Sequence, residues 1–184
     1  MKFERVIIVP YDPDWPRQYE EERALLETTF AGSEIAIEHV GSTAVPGLGG
    51  KPVVDIMVGL SQLAEAECRI PELECAGYEY VKEYEMHLPK RRYFRKPRIG
   101  SRVFHLHCII KQSDFWIRHL AFRDHLRAHP ESAAAYYELK RDLAMRVKKK
   151  EYTEAKSPFI EAVLARVFGT DNPPAAQPAA GADR

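Results

Sequence analysis

The stretch Glu38-His39-Val40-Gly41-Ser42-Thr43-Ala44-Val45-Pro46-Gly47-Leu48-Gly49-Gly50-Lys51-Pro52-Val53-Val54-Asp55-Ile56-Met57-Val58 sets the architecture. It reads as the end of one strand, a long glycine-rich turn, and a second strand carrying a single acid. Gly41-Ser42 at the strand exit offers backbone N–H groups and a hydroxyl with no bulky Cβ in the way. Such loops form concave nests for anionic oxygens, so the expected ligand is a phosphate. Asp55 follows in an apolar, β-branched run, where an acid requires a metal ion or a basic side chain as partner. Two readings compete: good turn residues with an acid paired to a nearby Arg, or a metal–phosphate site. The carboxylate on the strand leaving the loop favours the second. The loop is not a Walker A loop, because Val45 stands where its first glycine belongs and Pro52 replaces the Ser/Thr after Gly50-Lys51. No helix follows the glycines, which excludes a dinucleotide fingerprint.

Around this stretch the chain alternates strands and helices. Val6–Val9 is expected as a short strand ended by Pro10, and as an apolar run it is too short for a signal peptide. Pro16 opens a helix to about Phe30, with Tyr19, Leu25, Leu26 and Phe30 near one stripe. Ile35–Val40 is the strand feeding the loop. After the Asp55 strand, Ser61 is the expected N-cap of a helix from Gln62 to about Ala76, interrupted at Pro71 and stopped by Gly77. Tyr78–Tyr84 is the next strand. Of the thirteen residues 90–102, seven are basic and none is acidic. Pro97 and Gly100 imply a hairpin between a Tyr93–Lys96 strand and a Val103–Lys111 strand. In the latter, Phe104, Leu106, Cys108 and Ile110 share one face, and His105 and His107 share the other. Helices are expected from Asp114 to about Ala128, from Pro130 to about Lys150, and from Ser157 to Gly169. His125 and His129 have helical metal-pair spacing, but cap and surface roles suit them better.

Bulk composition bounds the rest. With 184 residues, 45% hydrophobic and 29% charged, the chain can bury a sizeable core as an ordinary soluble globule. A formal net charge of zero gives no global pull toward nucleic acid or membrane. Three cysteines, Cys68, Cys75 and Cys108, form no CxxC pair and read as buried, reduced thiols of a cytoplasmic protein. The expected organisation is a core over 1–112, a helical extension over 113–169 packed on it, and a disordered Pro- and Ala-rich tail over 170–184.

Several blocks together resemble the GrpB family: Ile37 to Leu48 with Lys51 to Ile56, Val9 to Pro16, Phe104 to His107, Leu120 to Arg127, and Tyr136 to Lys140. They fall in order across nearly the whole chain to about Phe168. The resemblance implies an α+β fold of the nucleotidyltransferase type, a mixed β-sheet flanked by helices with C-terminal helices closing one side of a cleft. That superfamily pattern is a Gly-Ser turn followed by a strand with two alternating acids, holding two divalent ions over a nucleoside triphosphate. Gly41, Ser42 and Asp55 match it. Met57, which shares the Asp55 face, stands where the second acid belongs, and a thioether is a poor ligand for Mg²⁺. Catalysis by the two-metal route is thereby placed in question.

The candidate site follows from these readings. Asp55 and Ser42 are the expected catalytic residues. Gly41, Ser42, Thr43, Lys51, Arg92, Arg95, Arg123 and Lys156 are the expected phosphate contacts. Asp55 with His107 and His105 would hold a divalent metal, Mg²⁺ or Mn²⁺, or Zn²⁺. The expected function is metal-dependent nucleotidyl transfer from a nucleoside triphosphate to an unspecified acceptor. The alternative is a catalytically degenerate module gripping a nucleotide, CoA or RNA, the RNA through residues 90–102.

Overall fold

The computed structural model describes residues 6–99 and 102–169. The chain folds as expected into an α+β structure: one five-stranded mixed sheet with helices on both faces. Helix α1 (Trp15–Thr29) carries Pro16 in its first turn and buries Trp15, Tyr19 and Leu26. Strand β1 (Ala36–Val40) is joined to β2 (Val54–Leu60) by the glycine loop, in which Ser42–Ala44 forms a single 3₁₀ turn. Short helices α2 (Leu63–Cys68) and α3 (Ile70–Cys75) precede β3 (Glu79–Tyr80), β4 (Arg91–Ile99) and β5 (Arg102–Ile110). Four helices complete the fold: α4 (Asp114–Ala128), α5 (Pro130–Arg146), α6 (Lys149–Ala155) and α7 (Ser157–Phe168), the last capped by Gly169 in the left-handed conformation.

The strand order is β1-β2-β5-β4-β3. Among the described residues only β2 and β5 run parallel, with Asp55 opposite His105 and Met57 opposite His107. Because side chains alternate, this register gives the sheet two faces of different chemistry. One face is apolar: Val54, Ile56, Val58, Leu60, Phe94, Phe104, Leu106 and Cys108 pack against α1, α2 and α3 through Tyr19, Leu26, Phe30, Ala66 and Leu73. Each large apolar side chain buried there stabilises the fold by about 1.5–3 kcal/mol. On the other face Val40, Met57 and Ile109 pack against Trp116 of α4. Gly59 makes that approach feasible, since a Cβ there would lie 2.7 Å from Trp116 Cζ3. The remainder of this second face carries Asp55, Tyr93, His105 and His107 and is left open beneath α4–α7.

Several boundaries differ from the sequence expectation, each for a local reason. Val6–Val9 is not a strand; only Val9 bridges the chain, exchanging two 2.9 Å hydrogen bonds with Gly50, and Pro10 has no N–H to continue. Gln62, not Ser61, caps α2, its N–H donating to the Glu65 carboxylate at 2.8 Å. The Tyr78–Tyr84 strand shrinks to Glu79–Tyr80, because Lys82–Met86 winds into a 3₁₀ turn. The helix expected to reach Lys150 stops at Arg146: Val147 is extended and packs beside Tyr152 and Ala144. Cys68 and Cys75 are exposed, and only Cys108 is buried. The turn at Gly100-Ser101 and the tail from Thr170 lie outside the described residues. Among the described residues, no helix is long and apolar enough to cross a membrane.

Candidate functional site

The glycine loop is built to hold Asp55 close. Gly41 has φ 72°, and a Cβ on it would sit 2.5 Å from Asp55 Oδ2. Only glycine therefore lets the strand exit pass over the carboxylate. The loop is braced from behind. Thr43 Oγ1 pairs with His39 Nε2 at 2.9 Å, and Arg127 Nε donates to the Ala44 carbonyl at 2.9 Å. Arg123 donates to Glu38 at 2.6 Å and to the His39 carbonyl at 2.9 Å. Burial pushes the His39 imidazole down to about 4, so it is neutral and works as a strut.

Asp55 faces two imidazoles across the parallel strand pair. Its Oδ1 lies 3.3 Å from His105 Nδ1 and 3.9 Å from His107 Nε2. Burial opposes ionisation of this carboxyl, but the N–H of His105 and the imidazole of His107 beside it outweigh that and hold Asp55 well below the usual carboxylate range. On the far side of His107, Arg91 approaches Nδ1 at 3.1 Å. A guanidinium only donates, so Nδ1 is the acceptor and the ring proton sits on Nε2, toward Asp55. Burial brings His107 down to about 4, consistent with this neutral form. Among the described residues, Arg91 Nε is buried without a hydrogen-bond partner.

Opposite this wall stand three lysines. Lys140 of α5 is 2% exposed and donates from Nζ to Ser42 Oγ at 2.8 Å and to the Gly49 carbonyl. Burial, reinforced by the Lys156 charge, lowers it to about 7. Lys156 and Lys51 place their ammonium groups 4.8 and 5.2 Å from the centre of the Tyr152 ring. Lys156 is lowered to about 8, chiefly by burial and then by Lys51. Between the walls lies a cavity of about 610 Å³. Its far end is aromatic: Tyr84 stacks on Tyr93 at 5.1 Å, Phe115 on His119 at 3.9 Å, and Arg91 lies 4.9 Å from the Tyr93 centre.

Of the residues expected from sequence, Gly41, Ser42, Lys51, Asp55, His105, His107, Arg123 and Lys156 all line this cavity. Thr43 turns inward to His39 instead. Arg92 points to the opposite face of β4, where it pairs with Glu67 at 2.6 Å and Glu85 at 3.6 Å. Arg95 pairs with Glu79 at 2.8 Å, and Lys96 with Glu22 at 2.8 Å. The basic run thus spends three of its charges on ion pairs outside the cavity. Among the lining residues that were not expected are Arg91, Tyr93, Phe115 and Lys140. Arg91 and Tyr93 were visible only as members of the basic run, and strand parity separates Arg91 from Arg92 once the register is known. Lys140 closes the Tyr136–Lys140 block but has no loop or strand signal of its own.

A sequence model described as GrpB protein matches residues 5–166. The chain belongs to the GrpB family. It is 33% identical over 165 residues to the glutamate-rich protein GrpB of Alkalihalophilus pseudofirmus, covering 86% of this chain and 94% of that one. A UPF0157 protein of Pseudomonas aeruginosa is 35% identical over 180 residues, covering 95% and 72% of the two chains. The crystal structure of conserved protein GrpB from Enterococcus faecalis superposes with a TM-score of 0.78 at 35% identity, over 89% of this chain and 98% of that one.

The donor set of this GrpB-family chain departs from a two-metal site. Asp55 is the only carboxylate on the β2–β5 floor, and Met57, wholly buried, holds the position two residues on. His107 Nδ1 is already taken by a guanidinium. Among the described residues, no group of three or more His, Cys, Asp or Glu side chains is placed to hold a metal ion. A hard divalent ion takes oxygen ligands, and these residues do not fit a pair of them.

Proposed function

We propose that the cavity binds a phosphorylated small molecule of the nucleotide class. The observation that carries this reading is the polarity of one cavity: Lys51, Lys140, Lys156 and the Ser42 hydroxyl converge at one end, and Tyr84, Tyr93 and Phe115 form the other. Phosphate oxygens meet ammonium and hydroxyl donors at the first end. A planar ring lies against the aromatic wall at the second, where Arg91 adds a stacking partner. Asp55, with His105 and His107, faces the region between them, where a ribose or pantetheine hydroxyl would lie.

Calorimetric titration with ATP, GTP, CTP, UTP and CoA tests the reading. At least one binds saturably, and Phe115→Ala weakens it about tenfold, since a stacked ring contributes about 1–3 kcal/mol. Failure of all five to bind would sink it. Nucleotidyl transfer is the second reading, favoured by the place of Asp55 on the strand that leaves the Gly41-Ser42 turn. Incubation with α-labelled nucleotides and Mg²⁺ or Mn²⁺, on wild type and Asp55→Asn, detects it; label transfer lost in the variant would raise it above simple binding.

A further inference from the structure

The position of Lys140 is costly unless something anionic arrives. Its ammonium is almost wholly buried, yet its hydrogen bonds go to two neutral oxygens, Ser42 Oγ and the Gly49 carbonyl. Among the described residues, neither Lys140 nor Lys156 is paired with a carboxylate. The loop closes tightly on the first of them: a Cβ on Gly50 would lie 2.7 Å from Ser42 Cβ and 3.4 Å from Lys140 Nζ. Both ammonium groups lean on aromatic rings, Lys140 at 4.9 Å from the Tyr136 centre and Lys156 at 4.8 Å from that of Tyr152. Buried charge of one sign, held by neutral dipoles and ring faces, is stabilised by a ligand of the other sign. The same charges repel a metal cation. The carboxylate that would receive it, Asp55, already accepts from His105, and the next position on its strand face is a buried thioether.

We propose that the phosphate end of the cavity binds polyphosphate without a divalent ion, the fixed ammonium groups of Lys140 and Lys156 supplying the positive charge that a bound metal would otherwise bring. The inference rests on the phosphorylated-ligand reading and deepens it. Lysine side chains are fixed point charges with three donors each, so two of them reach several non-bridging oxygens at once. Both groups are in place before the ligand arrives and an incoming anion favours their charged form, whereas a metal has to be recruited with it.

The test is calorimetric titration of the full chain with inorganic tripolyphosphate and with ATP, in EDTA and again in excess Mg²⁺. Binding in EDTA as tight as in Mg²⁺, within about threefold, and weakened at least tenfold by Lys140→Met and by Lys156→Met, is the expected result. Lys156 is half-buried, so its variant keeps the test decisive if Lys140→Met does not fold. Binding that appears only with Mg²⁺ overturns the inference while leaving the phosphorylated-ligand reading standing. Binding unchanged in both lysine variants overturns it too. No binding of either probe under either condition overturns the inference, and the phosphorylated-ligand reading falls with it only if GTP, CTP, UTP and CoA fail to bind as well.

Discussion

Replacing Gly41 by alanine probes the tightest contact in the site. Two penalties are built in. The backbone at Gly41 has φ 72° and ψ −170°, a region nearly confined to glycine, and holding an L-residue there costs about 1–3 kcal/mol. The added methyl would then stand 2.5 Å from Asp55 Oδ2 and 3.2 Å from its Cγ, so the carboxylate must swing away from His105. Overpacking of this kind costs about 1–3 kcal/mol more, for a total of about 4 kcal/mol. Gly47 is the matched control, because its φ is 78° and nothing lies within 4 Å of a Cβ placed on it. Urea unfolding of both variants separates the terms: Gly47→Ala loses the backbone share alone, and Gly41→Ala loses about twice as much. In an Asp55→Ala background the excess at Gly41 shrinks, giving a coupling of about 1–2 kcal/mol. Equal losses at the two glycines, or no coupling to Asp55, would refute the close approach of loop and carboxylate.

Gly59→Ala drives a methyl into Trp116 Cζ3 and costs about 1–3 kcal/mol, with a shift in tryptophan emission; unchanged stability and emission would contradict the packing of α4 on β2. Arg123→Met strands the Glu38 carboxylate and the His39 carbonyl, and about 3 kcal/mol of stability goes with it, Arg123→Lys recovering only part; a loss below about 1 kcal/mol would mean that the brace is idle. Because His39 is held near 4 in the fold and returns to about 6.5 on unfolding, the unfolded chain takes up its proton first as pH falls. Stability therefore declines from about pH 6.5 to about pH 4. His39 contributes at most about 3 kcal/mol of the loss beside His107 and His119, which are held equally low, and His39→Gln makes the slope shallower by that share in a series of urea titrations. Lys140 works in the same sense at higher pH: near 7 when folded and about 10.5 when unfolded, it makes the ligand-free protein more stable as pH rises through that window. Lys140→Met reduces the rise, leaving the part that Lys156 contributes above about pH 8, and an unaltered profile would show that Lys140 has no share in it.

Much of this arrangement was legible in the order of residues. Glycine at 41, an acid at 55 and alternating histidines at 105 and 107 carry local signals, and strand periodicity alone puts His105 and His107 on one face. Their meeting with Asp55 needed the parallel pairing of β2 with β5, which no local pattern encodes. The basic run shows the limit most clearly. Composition marks seven cations without saying which face each takes, and a shift of one residue exchanges Arg91 for Arg92, a cavity wall for an ion pair with α2. Lys140 was hidden for another reason. It comes from a helix ninety-eight positions away from Ser42 in the chain, and its role exists only through burial against the loop.

The packing of Met57 limits what this strand can become. The position two residues beyond Asp55 is now part of a hydrophobic seam with Val40, Ile109 and Trp116, sealed from solvent by α4. An acid introduced there alone would be an unpaired charge in an apolar seam, at a cost of several kcal/mol. No single-residue path therefore leads from this sequence to a paired-acid strand, because the seam and the helix above it would have to be rebuilt first. Packing alone keeps this position closed to acids.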